Sequence, residues 1–170
     1  MLNRVIYLHL KYIPVYTLNM KVKTLVESLQ KEKINYMIVG GYAVNFHGYS
    51  RNTVDIDIII KFTLSNLKKL EKLLHEMGMV SRLPIDAVSI YKFRDEYINN
   101  RNLIAWNFYN KDDPTDQVDI LINHDVADFK SEKFRVGDIE LKVISKEDLI
   151  KMKKASGRNK DILDIKELTK

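Results

Sequence analysis

The sequence predicts an α+β fold on three observations. Helical and strand patterns alternate from residue 21 to the C-terminus. The strongest strand, Val54–Ile60, is alternating and β-branched, and two later strands, Leu103–Tyr109 and Gln117–Ile122, flank a turn-rich loop that suits an antiparallel pair. At 170 residues, 45% hydrophobic and 30% charged, the chain has the size of a single domain. A chain of this length buries about two thirds of its unfolded surface, so it needs neither disulfides nor a structural metal.

The elements follow in order. Residues 1–19 are aliphatic and aromatic without an acid, and partly alternate at Leu8, Leu10 and Tyr12. This N-terminal extension has two readings: an extra edge strand, or a stretch upstream of a natural start at Met20, after which a helix opens directly. The domain proper is expected over residues 20–170. Val22, Leu25, Val26 and Leu29 recur at helical spacing, so residues 21–32 read as an amphipathic helix. Ile34 to Val39 read as a buried strand running into a tight turn at Gly40-Gly41, and Tyr42 to His47 as a short helix closed by Gly48. After Val54–Ile60, Thr63 caps a helix with Leu64, Leu67, Leu70, Leu74 and Met77 on its buried side, ending at Gly78. One further helix is expected from Pro84 to about Asn99. After the antiparallel pair, Val136-Gly-Asp-Ile139 suggests a hairpin into a strand Glu140–Ile144. Ser145 caps a final helical region that breaks near Gly157 and resumes to Leu168.

Several function classes drop out. Cysteine is absent, which excludes disulfide frameworks, thiolate zinc sites and cysteine nucleophiles. The longest nearly apolar stretches are about six residues, against the ~20 needed to span a bilayer. His9, Lys11 and Pro14 interrupt the N-terminal run before it resembles a signal peptide. A cytoplasmic protein with no membrane partner is the expectation. The net charge of +5 resides at the two ends: residues 1–19 contribute +2, residues 145–170 contribute +3, and the 125 residues between them balance. A general basic coat of the kind that dominates nucleic-acid affinity is therefore not evident.

Chemistry concentrates on Gly40-Gly41, Asp55-Ile-Asp57 and Asp119. Alternate side chains of a strand share a face, which sets Asp55 and Asp57 side by side. Like charges on an apolar strand repel and lose solvation unless a cation lies between them. Magnesium, a hard cation that takes carboxylate oxygens and leaves room for phosphate, fits that need. Asp119 lies within an apolar strand, and a neighbouring strand about 4.8 Å away brings it into the same site if the register suits. Three such carboxylates can hold two ions about 3.5–4 Å apart, the arrangement used in nucleotidyl transfer. Glycines let a backbone approach a triphosphate closely, and a helix following them offers unpaired N–H groups. Taken singly, each feature has a plainer reading: a tight turn, a solvated strand face, a hydrogen-bonded strand end. His47, beside Gly48, reads as a packing or capping residue.

The run from Ile38 to Ile58, with its Gly-Gly and Asp-x-Asp, resembles the signature of minimal nucleotidyltransferases in the DNA polymerase beta superfamily, in the branch holding abortive-infection toxins and antibiotic-modifying enzymes. The stretch from Ser145 to Ile165 resembles the tail of that branch, so the resemblance covers about residues 20–170. It implies a mixed sheet with helices mainly on one face and transfer of a nucleoside monophosphate from a nucleoside triphosphate, with release of pyrophosphate. By position, Asp55, Asp57 and Asp119 match the catalytic, metal-binding acids, and Gly40-Gly41 the phosphate-cradling turn. One departure stands out: many relatives have Gly-Ser here, whose hydroxyl can contact phosphate, whereas Gly41 offers only its N–H. Lys153, Arg158 and Asp161 match recurrent positions. Lys153 is expected to meet the triphosphate as a point charge, and Arg158 to contact phosphate or pair with Asp161 or Asp164, against the alternative of a salt-bridged helix. Arg51 can neutralise phosphate or anchor its loop.

The expected activity is thus magnesium-dependent nucleotidyl transfer. The alternative is a non-catalytic nucleotide- or protein-binding module of toxin-antitoxin type. The acceptor stays open between a small molecule, an RNA 3′ end and a protein. With little room for a further domain, the acceptor is small, the helix from Pro84 to Asn99 shapes its pocket, or a second subunit in a homodimer completes the cleft.

Overall fold

The computed structural model describes residues 11–13 and 20–170. Eight strands form one sheet: β1 (Lys11–Ile13), β2 (Tyr36–Ile38), β3 (Ile56–Ile60), β4 (Met79–Ser81), β5 (Ala105–Asn110), β6 (Gln117–Leu121), β7 (Ser131–Val136) and β8 (Ile139–Ile144). Seven α-helices lie among them in the described residues: α1 (Met20–Lys31), α2 (Gly40–Phe46), α3 (Leu64–Glu76), α4 (Ala87–Lys92), α5 (Arg94–Arg101), α6 (Lys146–Ser156) and α7 (Asn159–Leu168). The spatial order is β1-β7-β8-β2-β3-β6-β5-β4. The sheet is mixed: β1 with β7, β2 with β8 and β3 with β6 are parallel, and the remaining neighbours are antiparallel. This is the expected α+β class. Beyond β1, residues 1–19, which carry the two N-terminal readings, lie outside the described residues. No helix among the described residues is long and apolar enough to cross a membrane.

The central strands explain the position of the core. On β3, Ile56, Ile58 and Ile60 alternate to one face, while Asp57 and Ile59 take the other. Leu25 of α1 and Met77 at the end of α3 line a pocket with Ile56 and Val118 on the first of these faces. Each fully buried isoleucine or leucine there contributes about 1.5–3 kcal/mol. Trp106 and Phe108 are wholly buried and meet edge to face at 4.7 Å. The indole N–H donates to Ser81 Oγ at 3.0 Å, which gives a buried tryptophan the acceptor it requires. Thr63 caps α3 by accepting from Asn66 N, and Ser145 caps α6 by accepting from Asp148 N.

Two expectations need correction, and one strand has no counterpart among the expected elements. The strand predicted from Val54 begins at Ile56, leaving Asp55 in a bend. The single helix from Pro84 to Asn99 is two: Asp86 caps α4, and the chain breaks at Phe93 before α5. The three residues of β4 follow Gly78 immediately and pair with β5, too short a run to show an alternating pattern.

Candidate active site

The parallel pairing of β3 with β6 puts Asp57 directly opposite Asp119. Asp55, in the bend before β3, turns toward them, and one carboxylate oxygen from each of the three acids lies within 4.8 Å of the others. Burial, then the charges of Asp55 and Asp119, push the Asp57 carboxyl up to about 6, against the opposing pull of the Gly41 amide and the Arg158 guanidinium. Burial also raises Asp119; the Asn107 amide, donating to its Oδ1 at 2.6 Å, pulls the other way. A crowded set of hard oxygen donors of like charge, only partly offset by these groups, is of the kind that suits a divalent cation.

The two glycines follow from this crowding. Val39 N donates to Asp57 O at 3.0 Å, which holds the end of β2 against β3, and α2 starts at the glycines themselves. Gly40 sits at φ +60, and a Cβ there would overlap the Asp57 carboxylate. A Cβ on Gly41 would overlap the Thr53 hydroxyl and lie 2.8 Å from an Arg51 guanidinium nitrogen. The Gly41 N–H is engaged by the Asp57 carboxylate. Gly40→Ala is expected to reduce nucleotidyl transfer at least a hundredfold by displacing Asp57, and to cost about 1 kcal/mol or more through left-handed backbone strain. Assay and urea denaturation measure the two effects, and an active variant would show that the close approach is dispensable.

The basic residues divide into two groups. Arg51 and Arg158 line the small cleft with Gly40, Gly41 and the three acids. Arg51 is fixed through its backbone, which exchanges two hydrogen bonds with the Asn45 side chain at 2.9 and 3.0 Å. Its Nε lies 3.1 Å from Asp164 Oδ1, yet the N–H is not aimed at that oxygen, so the contact is an ion pair without a hydrogen bond. Arg158 grips Asp161 with Nε at 2.8 Å and a second nitrogen at 3.3 Å.

Lys153 borders the space next to this cleft, together with Gly40, Asp57 and Arg158, but its amine is engaged on the protein itself. Its side chain is 3% exposed, and its amine donates to Asp161 Oδ1 at 3.0 Å and Asp164 Oδ2 at 2.6 Å. The expected point charge on a triphosphate is instead the counter-ion of two buried carboxylates. Burial would raise Asp161, but hydrogen bonds from Arg158 and Lys153 hold its carboxyl well below the usual range.

His47 packs as expected, edge-on to Phe134 at 5.3 Å with Nε2 2.8 Å from the Ile144 carbonyl. Sequence reasoning missed Thr53 and Asn107. Asn107 shared with Asp119 only an alternating strand pattern, and its role emerges from the pairing of β5 with β6. A second space of about 480 Å³ adjoins the cleft at Asp57 and Arg158, with Leu121, Leu149 and Met152 on its walls and Asn123 and His124 among its polar groups.

The same architecture occurs in several solved structures. The lincosamide antibiotic adenylyltransferase LnuA, lincomycin-bound, aligns with TM-score 0.63 at 16% identity over 89% of this chain and 96% of that one. The solution structure of the antibiotic-resistance factor ANT(2'')-Ia aligns with TM-score 0.61 at 11% identity over 87% and 80%. A nucleotidyltransferase-like antigenic protein from Paracoccidioides brasiliensis gives 0.54 at 18% over 87% and 74%. Comparison with curated protein sequences finds no match. The fold is that of the nucleotidyltransferases. The family model described as aminoglycoside-2''-adenylyltransferase matches residues 21–168, and the chain belongs to that family. It is accordingly a nucleotidyltransferase by family, and the toxin-antitoxin alternative finds no support among these relatives.

Proposed function

We propose that the chain transfers AMP from ATP to a hydroxyl group of a small-molecule acceptor, with release of pyrophosphate. The observation that carries this reading is the register of Asp57 with Asp119 beside Asp55, faced by two glycines that no side chain could replace without striking the site. Asp55, Asp57 and Asp119 would hold divalent magnesium, in all two ions. The metal, when bound, supplies charge neutralisation for the attacking and leaving oxygens.

The chain's own residues do the remainder. Asn107 orients Asp119, whose carboxylate accepts the proton of the acceptor hydroxyl. Arg51 and Arg158 line the cleft with the acids and balance the triphosphate charge. Gly40 and Gly41 let the phosphates come against the backbone. The adjoining apolar space gives room for the organic parts of the substrates, and such positioning contributes a large share of the rate.

The adenylyltransferase family supports ATP as the donor, and relatives whose structures contain lincomycin or adenylyl-2''-tobramycin support the acceptor class. The test is incubation with each α-labelled nucleoside triphosphate, magnesium, and either lincomycin or tobramycin, followed by chromatography. Label from ATP entering an antibiotic, and stopping with EDTA, is the expected result. Label entering RNA or protein while both antibiotics stay unmodified would overturn the small-molecule reading.

A further inference from the structure

The glycine at position 41 leaves a question of chemistry. Where the turn carries Gly-Ser, the serine hydroxyl is available to phosphate. Here the space that a residue-41 side chain would enter is already filled: its Cβ would overlap Thr53 Oγ1, and it would sit 2.8 Å from both Thr53 Cβ and an Arg51 guanidinium nitrogen. The occupant of that space is itself a hydroxyl. We infer that Thr53 supplies the phosphate-binding hydroxyl of this site from the opposite side of the turn, so that Gly41 and Thr53 together replace a single serine. This rests on the nucleotidyl-transfer reading above.

Three further observations support it. Thr53 Oγ1 reaches the Asp55 carbonyl and carboxylate only at 3.4 Å each, well beyond the ~2.7–2.8 Å of a good O–H···O bond, so the hydroxyl has no strong partner to give up. Thr53 lines the same cleft as Gly40, Gly41 and the three acids. Its loop is fixed next to the turn, because Asn45 of α2 holds both the N–H and the carbonyl of Arg51. The ligand class is the polyphosphate of a nucleoside triphosphate, a strong acceptor toward which a neutral hydroxyl donates.

The experiment is calorimetric titration with magnesium and α,β-methylene-ATP, which binds without transfer. Thr53→Val, which keeps the β-branched shape, is expected to weaken binding about tenfold or more, and Thr53→Ser to stay within about threefold of the parent. Gly41→Ser alone is expected to bind poorly, because the new side chain strikes Thr53. Combined with Thr53→Gly, which clears both the hydroxyl and the Cβ from its path, Gly41→Ser is expected to regain most of the affinity that Thr53→Gly loses, and this reversal of sign is the signature of one hydroxyl moved across the turn. Thermal melts accompany each variant, and the Thr53→Ser result keeps the comparison decisive if Thr53→Val melts early. Parent-like binding by Thr53→Val, or a double variant no better than Thr53→Gly, overturns the inference and leaves the nucleotidyl reading standing. If the parent binds the analogue no better than Asp57→Ala does, both fall.

Discussion

Replacing Asp57 by alanine is expected to abolish nucleotidyl transfer, with a loss of at least about a thousandfold, while the far-ultraviolet spectrum stays that of the parent. The carboxylate is opposite Asp119 on the neighbouring strand and within reach of Asp55, so its loss takes away the central member of the proposed metal-binding set, and electrostatic stabilisation of this kind is worth several kcal/mol. The same side chain has a second, opposite effect. Burial and the two neighbouring acids push its carboxyl up to about 6. The folded state therefore holds that proton more tightly than the unfolded chain does, and without metal this group makes the protein more stable as pH falls from about 6 toward 4. Asp57→Asn keeps a neutral side chain at every pH, and in EDTA at pH 7 it should stabilise the fold by about 2 kcal/mol. Urea titrations at pH 7 and pH 5 separate the cases: the gain should shrink at pH 5, and a gain that is the same at both would contradict the assigned electrostatics.

Lys153→Met is expected to destabilise the protein by about 3–5 kcal/mol, the range for stripping one partner from a buried ion pair. Asp161 and Asp164 are 0% and 1% exposed, so removing the amine leaves them short of the cation that lies between them. Arg158, at the surface of the same network, replaces only part of that charge. The pH sign follows from Asp161, whose carboxyl lies below its unfolded value: its share of stability is present above about pH 4 and is lost as pH falls through the lower, folded value. A variant melting within a degree or two of the parent would show that the network is not the anchor of the C-terminal helices.

The legible parts of this molecule were those in which local pattern and chemistry coincide. Asp57 and Asp119 stand as acids in apolar strands, with Asp55 in the bend that leads into the first of them, and a side chain of that type is costly there unless it has a task. The glycine pair, the cap at Thr63 and the hairpin at Val136-Gly137 are equally local signals. Lys153 misled because a lysine near the end of a helix ordinarily extends into water. The corrective signal was present: Lys153 is four residues after the buried Leu149, and Asp161 and Asp164 are seven and four residues before the buried Leu168, so all three charges ride the apolar stripe of their helices. Thr53 and Asn107 had no such mark. Their neighbours are chosen by strand register and by a turn that returns upon itself, and neither is a property of a short window of sequence.

The register between β3 and β6 also ties the site to the folding reaction. Asp57 and Asp119 are 62 positions apart in the chain, and their strands run parallel, so no hairpin or other local fragment can bring them together. In the denatured ensemble only Asp55 and Asp57 remain neighbours, and two flexible carboxylates hold a divalent ion weakly. A cation that requires all three acids is thus a ligand of the native state alone, and the free energy of its binding adds directly to that of the closed sheet. For such a cation, staying bound and keeping the central strands paired would be a single equilibrium.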